Sequence, residues 1–231
     1  MIRGVFLSFC GMRMIMKDGF IKIACATPDL KVADCPYNAD RIIELITEAY
    51  KKGVKMICFP ELSLTGYSCG DLFLQDALLS AAKQELVRII RETETLDIVA
   101  IIGMPLAVCG KLYNCGVVVN KGKVVGAAAK KNIPNYSEFY EVRHFTAAAD
   151  VLCADVPLDE EYAVHLEDTV FVCKELPDLT FGIEICEDMW VCSPPAEKLA
   201  ASGAVVIFNL SASDEVIGKG QSARRHRDRH G

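Results

Sequence analysis

Short apolar runs alternate with amphipathic helical segments from Gly19 to Leu210, an order that few fold classes accommodate. The segment 20–26 (FIKIACA) has the length and β-branched content of a strand, whereas 38–52 (NADRIIELITEAYKK) carries apolar residues at helical spacing. The predicted strands are 20–26, 54–59, 97–103, 112–120, 123–129, 169–173, 179–185 and 205–210, and the predicted helices are 38–52, 75–95 and 194–202. The strands on either side of Lys121-Gly122 form a hairpin, which adds an antiparallel pair to a sheet otherwise covered by helices. The sequence therefore predicts an α/β layered fold with mixed sheets.

The composition favours one globular domain and disfavours two classes of partner. The chain has 231 residues, and its 25 Lys and Arg against 31 Asp and Glu give a formal net charge of −6. A chain of this length buries a substantial core. An acidic balance offers no basic face for phosphates, and the roughly 20 consecutive apolar residues of a membrane-spanning helix are missing from the sequence. We expect neither nucleic acid nor a membrane as partner.

The cysteines are numerous but do not form a recognisable framework. There are 11 of them, with no CxxC spacing, and most lie in apolar runs such as IACA and MICF. Of the 4 histidines, His226 and His230 lie in the last few residues, which leaves little for a zinc cluster or a Cys–His pair. Buried, reduced thiols explain this pattern, and a metal-free cytoplasmic protein is expected.

The two ends of the sequence differ in character from the segment between them. Residues 1–18 contain a short apolar stretch without a small-x-small cleavage site, and they are interpreted as a leader outside the fold, with Met14 or Met16 as the true start. Residues 19–217 form the predicted domain. The segment 218–231 has four arginines and no apolar run, and it is interpreted as a disordered or frameshifted tail.

Three predicted strands end in polar residues suited to catalysis. Glu61 follows one strand, Lys130 and Lys131 close a hairpin strand, and Cys186 ends a third strand between acidic residues. Each taken alone is an ordinary surface or structural residue. Together they offer a thiol nucleophile, a carboxylate base that takes its proton, and an ammonium that stabilises an oxyanion. Loops at strand ends carry most α/β active sites, so we expect these groups to meet.

The segments PELSLTGY (60–67), KKNIPNYSEFYE (130–141) and GIEICEDMW (182–190) resemble the carbon–nitrogen hydrolase (nitrilase) superfamily. Within it, IPNYSEFYE, CEDMWVCSPP and NLSAS are most similar to the amino-terminal glutaminase domains of glutamine-dependent NAD⁺ synthetases. The resemblance implies a nitrilase-like αββα sandwich with mixed sheets. It assigns the general base to Glu61, the catalytic lysine to Lys130 rather than Lys131, because Pro134 fixes the register, and the nucleophile to Cys186.

The same resemblance implies the substrate and the partners. Residues at positions that contact glutamine in that group are Tyr136, Phe139, Glu141, Glu187 and Ser213. A carboxylate among them suits the α-ammonium of glutamine. Glutamine hydrolysis needs no metal and no cofactor, whereas ATP, Mg²⁺ and deamido-NAD⁺ are implied only for a synthetase domain or subunit. A homo-oligomer is expected when the protein is complete.

The sequence departs from the family pattern after the NLSAS strand. The SGGxDS phosphate-binding loop of the synthetase domain is absent from these 231 residues, and the nitrilase fold normally continues with further elements. We therefore expect a domain that is truncated and incomplete at the C-terminus. Two other interpretations remain open: a stand-alone amidase acting on another small amide, and an inactive fragment that retains only a surface for subunit association.

Overall fold

The computed structural model describes residues 7–9, 20–148 and 153–214. The strands are β1 Leu7–Phe9, β2 Ile23–Cys25, β3 Met56–Cys58, β4 Val99–Val108, β5 Lys111–Asn120, β6 Lys123–Ala129, β7 Cys153–Pro157, β8 Ala163–Glu167, β9 Phe171–Cys173, β10 Leu176–Ile185 and β11 Val206–Leu210. The α-helices are α1 Cys35–Lys51, α2 Asp76–Glu92 and α3 Pro195–Ala201, and short 3₁₀ helices span Tyr67–Leu74, Glu141–Arg143 and Cys186–Met189. Among these residues, no helix is long and apolar enough to cross a membrane.

The strands form two sheets of mixed direction. A seven-stranded sheet has the order β2-β3-β4-β5-β6-β8-β7, and a four-stranded sheet has the order β1-β9-β10-β11. In the larger sheet β2, β3 and β4 are parallel, whereas β5 runs antiparallel to both of its neighbours, β4 and β6. The hairpin between β5 and β6 turns where the sequence predicts it, with Lys121 and Gly122 both at positive φ.

Alternate residues of β4 face two different cores. Ala100 and Ile102 pack with the buried faces of α1 and α2, which contribute Ile42 and Leu86 among others. Val99 and Ile101 point the other way, toward the aromatic side chains of the four-stranded sheet. One core therefore lies between the helices and the larger sheet, and the second lies between the sheets.

The two sheets and α3 complete a sandwich of four layers. A Cβ at Gly116 of β5 would lie 3.1 Å from side-chain atoms of both Ile183 and Leu210, so the sheets pack closely there. On the outer face of the small sheet, a Cβ at Gly182 would lie 2.8 Å from Leu199 of α3. The layers are helices, large sheet, small sheet and helix, which confirms the predicted αββα architecture.

Some element boundaries differ from the sequence prediction for identifiable reasons. Helix α1 begins at Cys35, before the predicted start at residue 38, because Asp34 accepts a hydrogen bond from the Tyr37 amide at 3.2 Å and Pro36 is tolerated in a first turn. Strand β4 continues past the predicted end at residue 103 and through Pro105 to Val108. Strand β3 pairs with β4 only over Val99–Ile101, so the proline lies beyond the part of β4 that has both edges paired.

The hairpin of β7 and β8 was not predicted from the sequence. Its strands have five residues each, and β7 ends in Pro157. His165 of β8 bridges two carboxylates, with Nδ1 2.8 Å from Asp155 and Nε2 3.2 Å from Glu167. Strand β8 joins the larger sheet beside β6, which supplies the backbone partners that such short strands need.

The prediction that residues 1–18 lie outside the fold is wrong for Leu7–Phe9. These residues form β1 and pair in parallel with Phe171–Cys173 of β9. An unpaired edge of β9 would present free N–H and C=O groups, and a short segment with strand propensity satisfies them. The rest of the proposed leader and the proposed tail 218–231 lie outside the described residues.

Candidate active site

Glu61 lies in a tight loop that follows strand β3. The next residue, Leu62, has a φ of 53°, and Glu61 itself is 1% exposed. The loop presses against β4 at Gly103, where a Cβ would lie 2.3 Å from the Pro60 carbonyl oxygen and 2.5 Å from the Leu62 nitrogen. Only glycine at position 103 allows this approach, so β4 fixes the place of the Glu61 carboxylate.

Lys130 follows strand β6 and is fully buried between two carboxylates. Its Nζ lies 2.6 Å from Glu61 Oε1 and 2.9 and 2.8 Å from the two oxygens of Glu141. Burial lowers the pKa of Lys130, but the charges of the two carboxylates outweigh this and the net direction is upward. The lysine is therefore a charged ammonium inside the protein.

Glu61 has two further donors besides the lysine. The side-chain amide of Asn114, on β5, donates to Oε1 at 2.6 Å, and the Ala212 amide donates to Oε2 at 3.3 Å. Burial raises the pKa of Glu61 above its usual value, although Lys130 opposes the shift. A carboxylate with a raised pKa can take up a proton and hold it through a reaction step.

Cys186 begins the turn after strand β10. It adopts a φ of 47°, a left-handed conformation that is uncommon for a residue other than glycine, and it is 5% exposed. Its thiol lies close enough to Glu61 and Lys130 for the charges of both groups to shift its pKa. Burial and then the charge of Glu61 raise the pKa of Cys186 to about 12, while Lys130 lowers it. The resting thiol is therefore protonated, and it becomes a nucleophile only when a base removes its proton.

The structure thus brings Glu61, Lys130 and Cys186 together, and it separates Lys130 from its neighbour. The Lys131 ammonium is paired with Asp168, and the Lys131 backbone amide donates to Asp188 at 3.1 Å. The ammonium that contacts Glu61 is that of Lys130. This is the lysine to which the sequence analysis gave the catalytic role.

Glu141, one of the predicted substrate contacts, is buried and binds the Lys130 ammonium. Both its oxygens accept hydrogen bonds from Lys130, and Oε1 also accepts one from the Tyr67 hydroxyl at 2.7 Å. Burial, followed by this carboxylate, raises the pKa of Tyr67, which therefore stays a neutral donor. Sequence reasoning did not single out Tyr67 or Asn114, although Tyr67 closes the PELSLTGY segment. Glu141 thus holds the lysine, and its predicted contact with substrate stays a prediction.

The other predicted substrate contacts surround this buried group. The Tyr136 hydroxyl donates to Glu187 at 2.8 Å, and the rings of Tyr136 and Phe139 lie 5.7 Å apart. Ser213 directly follows Ala212, the residue whose amide reaches Glu61. All five predicted contacts therefore lie on segments that carry or adjoin the three central residues, and their roles toward a substrate stay predictions.

A cavity of about 190 Å³ lies beside Glu141. It lies between the 3₁₀ segment Tyr67–Leu74 and the loop that contains Glu138 and Tyr140. Its walls combine aromatic rings with the carboxylates of Glu138 and Glu141. No group of three or more potential metal ligands occurs among the residues that the structure describes.

Comparison with known proteins shows the family of the chain. The sequence profile of the carbon–nitrogen hydrolase family matches residues 22–227. This chain belongs to that family. Among curated family members, the glutamine-dependent NAD(+) synthetase of Mycobacterium leprae is 36% identical over 206 residues, which are 89% of this chain and 30% of that protein. The chain thus spans about a third of the length of the synthetases that it matches.

Solved structures support the same assignment. A crystal structure of a glutamine-dependent NAD(+) synthetase from Cytophaga hutchinsonii superposes with a TM-score of 0.76 at 31% identity, covering 88% of this chain and 32% of that one. An amidase of Nesterenkonia sp. superposes with a TM-score of 0.68 at 17% identity, covering 91% of this chain and 73% of that one, a likeness of fold alone. The chain is a carbon–nitrogen hydrolase domain similar to one part of a synthetase.

Proposed function

We propose that this domain hydrolyses the side-chain amide of glutamine through a thioester on Cys186. The observation that carries the proposal is the buried contact of 2.6 Å between Lys130 and Glu61, next to the Cys186 thiol. This group supplies a nucleophile, a base and an oxyanion partner from the chain's own side chains. The similarity to glutamine-dependent synthetases supports glutamine as the source of the amide.

In the first half-reaction, Glu61 takes the proton of the Cys186 thiol as the sulfur attacks the carbonyl carbon of the amide. The carbonyl oxygen gains negative charge in the tetrahedral intermediate, and the Lys130 ammonium stabilises it. When the intermediate collapses, the C–N bond breaks and Glu61 returns the proton to the leaving nitrogen. Ammonia departs, and the acyl group stays on sulfur as a γ-glutamyl thioester.

In the second half-reaction, water replaces ammonia beside Glu61. The carboxylate removes a proton from the water as its oxygen attacks the thioester carbon, and Lys130 again stabilises the oxyanion. The C–S bond breaks, the sulfur regains a proton from Glu61, and glutamate leaves. The raised pKa of Glu61 suits both kinds of proton transfer. The carboxylate accepts a proton from the thiol or the water more readily, and its protonated form can still donate to the leaving nitrogen or to the thiolate.

The surroundings of the thiol favour a substrate with a cationic end. Glu187 adjoins Cys186 in the chain and accepts from the hydroxyl of the exposed Tyr136, and Glu138 lines the neighbouring cavity. We propose that one of these carboxylates receives the α-ammonium of glutamine, with Phe139 and Ser213 completing the contacts.

The ammonia would serve the formation of NAD⁺ from deamido-NAD⁺. In this proposal, that step belongs to a synthetase domain or subunit, which would bind ATP, Mg²⁺ and deamido-NAD⁺, whereas the hydrolysis itself uses no metal and no cofactor. Relatives contain this domain within proteins about three times as long, which supports a synthetase partner. A cytoplasmic location and a homo-oligomeric assembly belong to the same proposal.

The decisive experiment measures ammonia and glutamate released from glutamine by the purified protein. We expect turnover that survives dialysis against EDTA and is lost in Cys186→Ala, while Cys109→Ala, which removes an exposed thiol, keeps it. Asparagine, acetamide and an N-carbamoyl amino acid serve as competing substrates. Preference for any of these over glutamine would favour an amidase of different specificity, and no turnover on any amide would contradict the proposal.

A further inference from the structure

Asp188 is a buried carboxylate close to Cys186, and the mechanism proposed above gives it no role. It is 1% exposed and lies two residues after Cys186, in the 3₁₀ turn Cys186–Met189. One oxygen, Oδ1, accepts from the Asn132 amide at 2.8 Å, from the Asn132 side chain at 2.9 Å and from the Lys131 amide at 3.1 Å. The other oxygen, Oδ2, accepts from the Ile185 amide at 3.0 Å and also from the Lys131 amide at 3.4 Å.

These bonds join the segment that carries the lysine to the turn that carries the cysteine. Lys131 and Asn132 directly follow Lys130 at the end of β6, in the seven-stranded sheet. Ile185 is the last residue of β10, in the four-stranded sheet, and directly precedes Cys186. Asp188 is therefore a polar tie between the two sheets at the level of the site.

The same carboxylate also restrains the conformation of the nucleophile. The Ile185 amide and the Asp188 side chain close a turn around Cys186, whose φ of 47° is costly for a residue with a side chain. Such a conformation persists only when surrounding contacts hold it. We therefore expect that loss of this hydrogen bond would let the turn relax and would move the sulfur away from Glu61 and Lys130.

All four partners of Asp188 are N–H donors, so the site requires an acceptor at both oxygens. Burial raises the pKa of Asp188, and the hydrogen bonds from Asn132, Ile185 and Lys131 oppose that shift. An asparagine has the same shape, but its NH₂ group would face at least one N–H. The substitution Asp188→Asn therefore disturbs the hydrogen bonds and leaves the packing volume unchanged.

We propose that Asp188 is a positioning residue that sets the Cys186 sulfur against Lys130 and Glu61 by tying the two strand ends together. The hydrogen bonds of its carboxylate in the described residues go to Lys131, Asn132 and Ile185, and none goes to Glu61, to the Lys130 ammonium or to the Cys186 thiol. The inference rests on the proposed function for its meaning in turnover. The placement itself can be measured without any substrate, through the reactivity of the thiol.

The test is the rate at which iodoacetamide alkylates Cys186 at pH 8, resolved by peptide mass spectrometry. In Asp188→Asn we expect this rate to fall about 10- to 100-fold, because proton transfer to Glu61 and stabilisation by Lys130 both depend on placement within about 1 Å. The exposed thiols Cys25 and Cys109 of the same chain calibrate the reagent and should react at wild-type rates. With glutamine, kcat should fall by a similar factor and KM by less than threefold.

The matched control is Asp168→Asn, which removes another carboxylate of this region. Asp168 pairs with the Lys131 ammonium and makes no contact with the Cys186 turn in the hydrogen bonds and ion pairs of the described residues. Its alkylation rate should stay within twofold of wild type. A wild-type rate at Cys186 in Asp188→Asn, or an equal fall in both variants, would overturn the inference.

Folding is monitored in the same experiment, because Cys35 and Cys115 are fully buried and react only if the domain opens. If they react in Asp188→Asn, the variant Asn132→Ala takes its place, since it removes one donor and leaves the carboxylate in its turn. A 3- to 10-fold fall at Cys186 in that variant supports the tie, and an unchanged rate refutes it. Loss of glutamine turnover in wild type with normal thiol reactivity would instead contradict the proposed function alone.

Discussion

Replacing each of the adjacent lysines by methionine separates the buried ammonium from its neighbour. The side chain of Lys130 is 0% exposed and its Nζ contacts two carboxylates, so Lys130→Met leaves Glu61 and Glu141 buried without their cation. Breaking a buried ion pair in this way costs about 3–5 kcal/mol. For a domain of this size that lowers the Tm by about 6–20 °C. Loss of an oxyanion partner lowers kcat by about 100- to 1,000-fold.

Lys131→Met is the matched comparison. The Lys131 ammonium pairs with Asp168, and both side chains keep some contact with solvent. Losing a charged hydrogen bond of this kind costs about 1.5–3 kcal/mol. The backbone amide of Lys131 still donates to Asp188, so turnover should stay within about threefold of wild type.

The two variants are compared by urea unfolding at several pH values and by steady-state release of ammonia. Burial raises the pKa of Glu61, and Lys130→Met removes the positive charge that opposes this shift, so the Glu61 carboxylate binds a proton more tightly in the folded state than in the unfolded state. The loss of stability should therefore shrink as the pH falls from 8 toward about 4.3, the unfolded value for Glu. Equal losses of turnover in the two variants, or a Lys130→Met enzyme with more than a tenth of wild-type kcat, would refute the reasoning.

Three further outcomes are expected. Glu61→Gln should fold, because the glutamine oxygen can keep the place of Oε1. Mass spectrometry after mixing this variant with glutamine should find at most a small glutamyl adduct on Cys186. Turnover at the wild-type rate would contradict the role of Glu61 as the base. Gly103→Ala should lower the free energy of unfolding by about 1–3 kcal/mol and remove most of the activity. The control is Gly110→Ala, because a Cβ there meets nothing within 4 Å at a φ of +74°. It should lower the free energy of unfolding by about 1 kcal/mol and leave the activity unchanged in the same assays. The pKa of His165 is raised chiefly by its hydrogen bond to a carboxylate of β7, so its stabilisation is complete below about pH 6.5 and is lost as the pH rises through the raised value. The urea midpoints of wild type and His165→Gln should therefore differ at pH 6 and converge at pH 9, and a constant difference would contradict this.

The layered fold and the three central side chains could be predicted because they depend on local patterns. Glu61, Lys130 and Cys186 each end a strand whose apolar run is legible in the sequence. The hairpin turn at 121–122 is equally local, and it was predicted to the residue. Such local patterns can be interpreted without knowing which strands are neighbours in a sheet.

The residues that support the site were not predicted, because they depend on contacts across the fold. Asn114 of β5 reaches Glu61 because only one strand, β4, separates β5 from β3, the strand that precedes the Glu61 loop. Asp188 binds amides 56 and 57 residues earlier in the chain. Glu141 was predicted to be a substrate contact. Its hydrogen bond to Lys130 forms because the 3₁₀ turn Glu141–Arg143 returns to the residue that directly follows β6. No spacing in the sequence encodes these distances.

The proposed base and its ammonium partner follow strands of the seven-stranded sheet, and the proposed nucleophile follows a strand of the four-stranded sheet. Neither sheet alone carries all three residues, so we expect activity to require the close packing of the aromatic core between the sheets, including Phe171 and Phe181. A compact, partly denatured state keeps its strands but loses fixed side-chain packing. On mild heating, turnover should therefore disappear together with the near-ultraviolet circular dichroism, while the far-ultraviolet signal of both sheets persists.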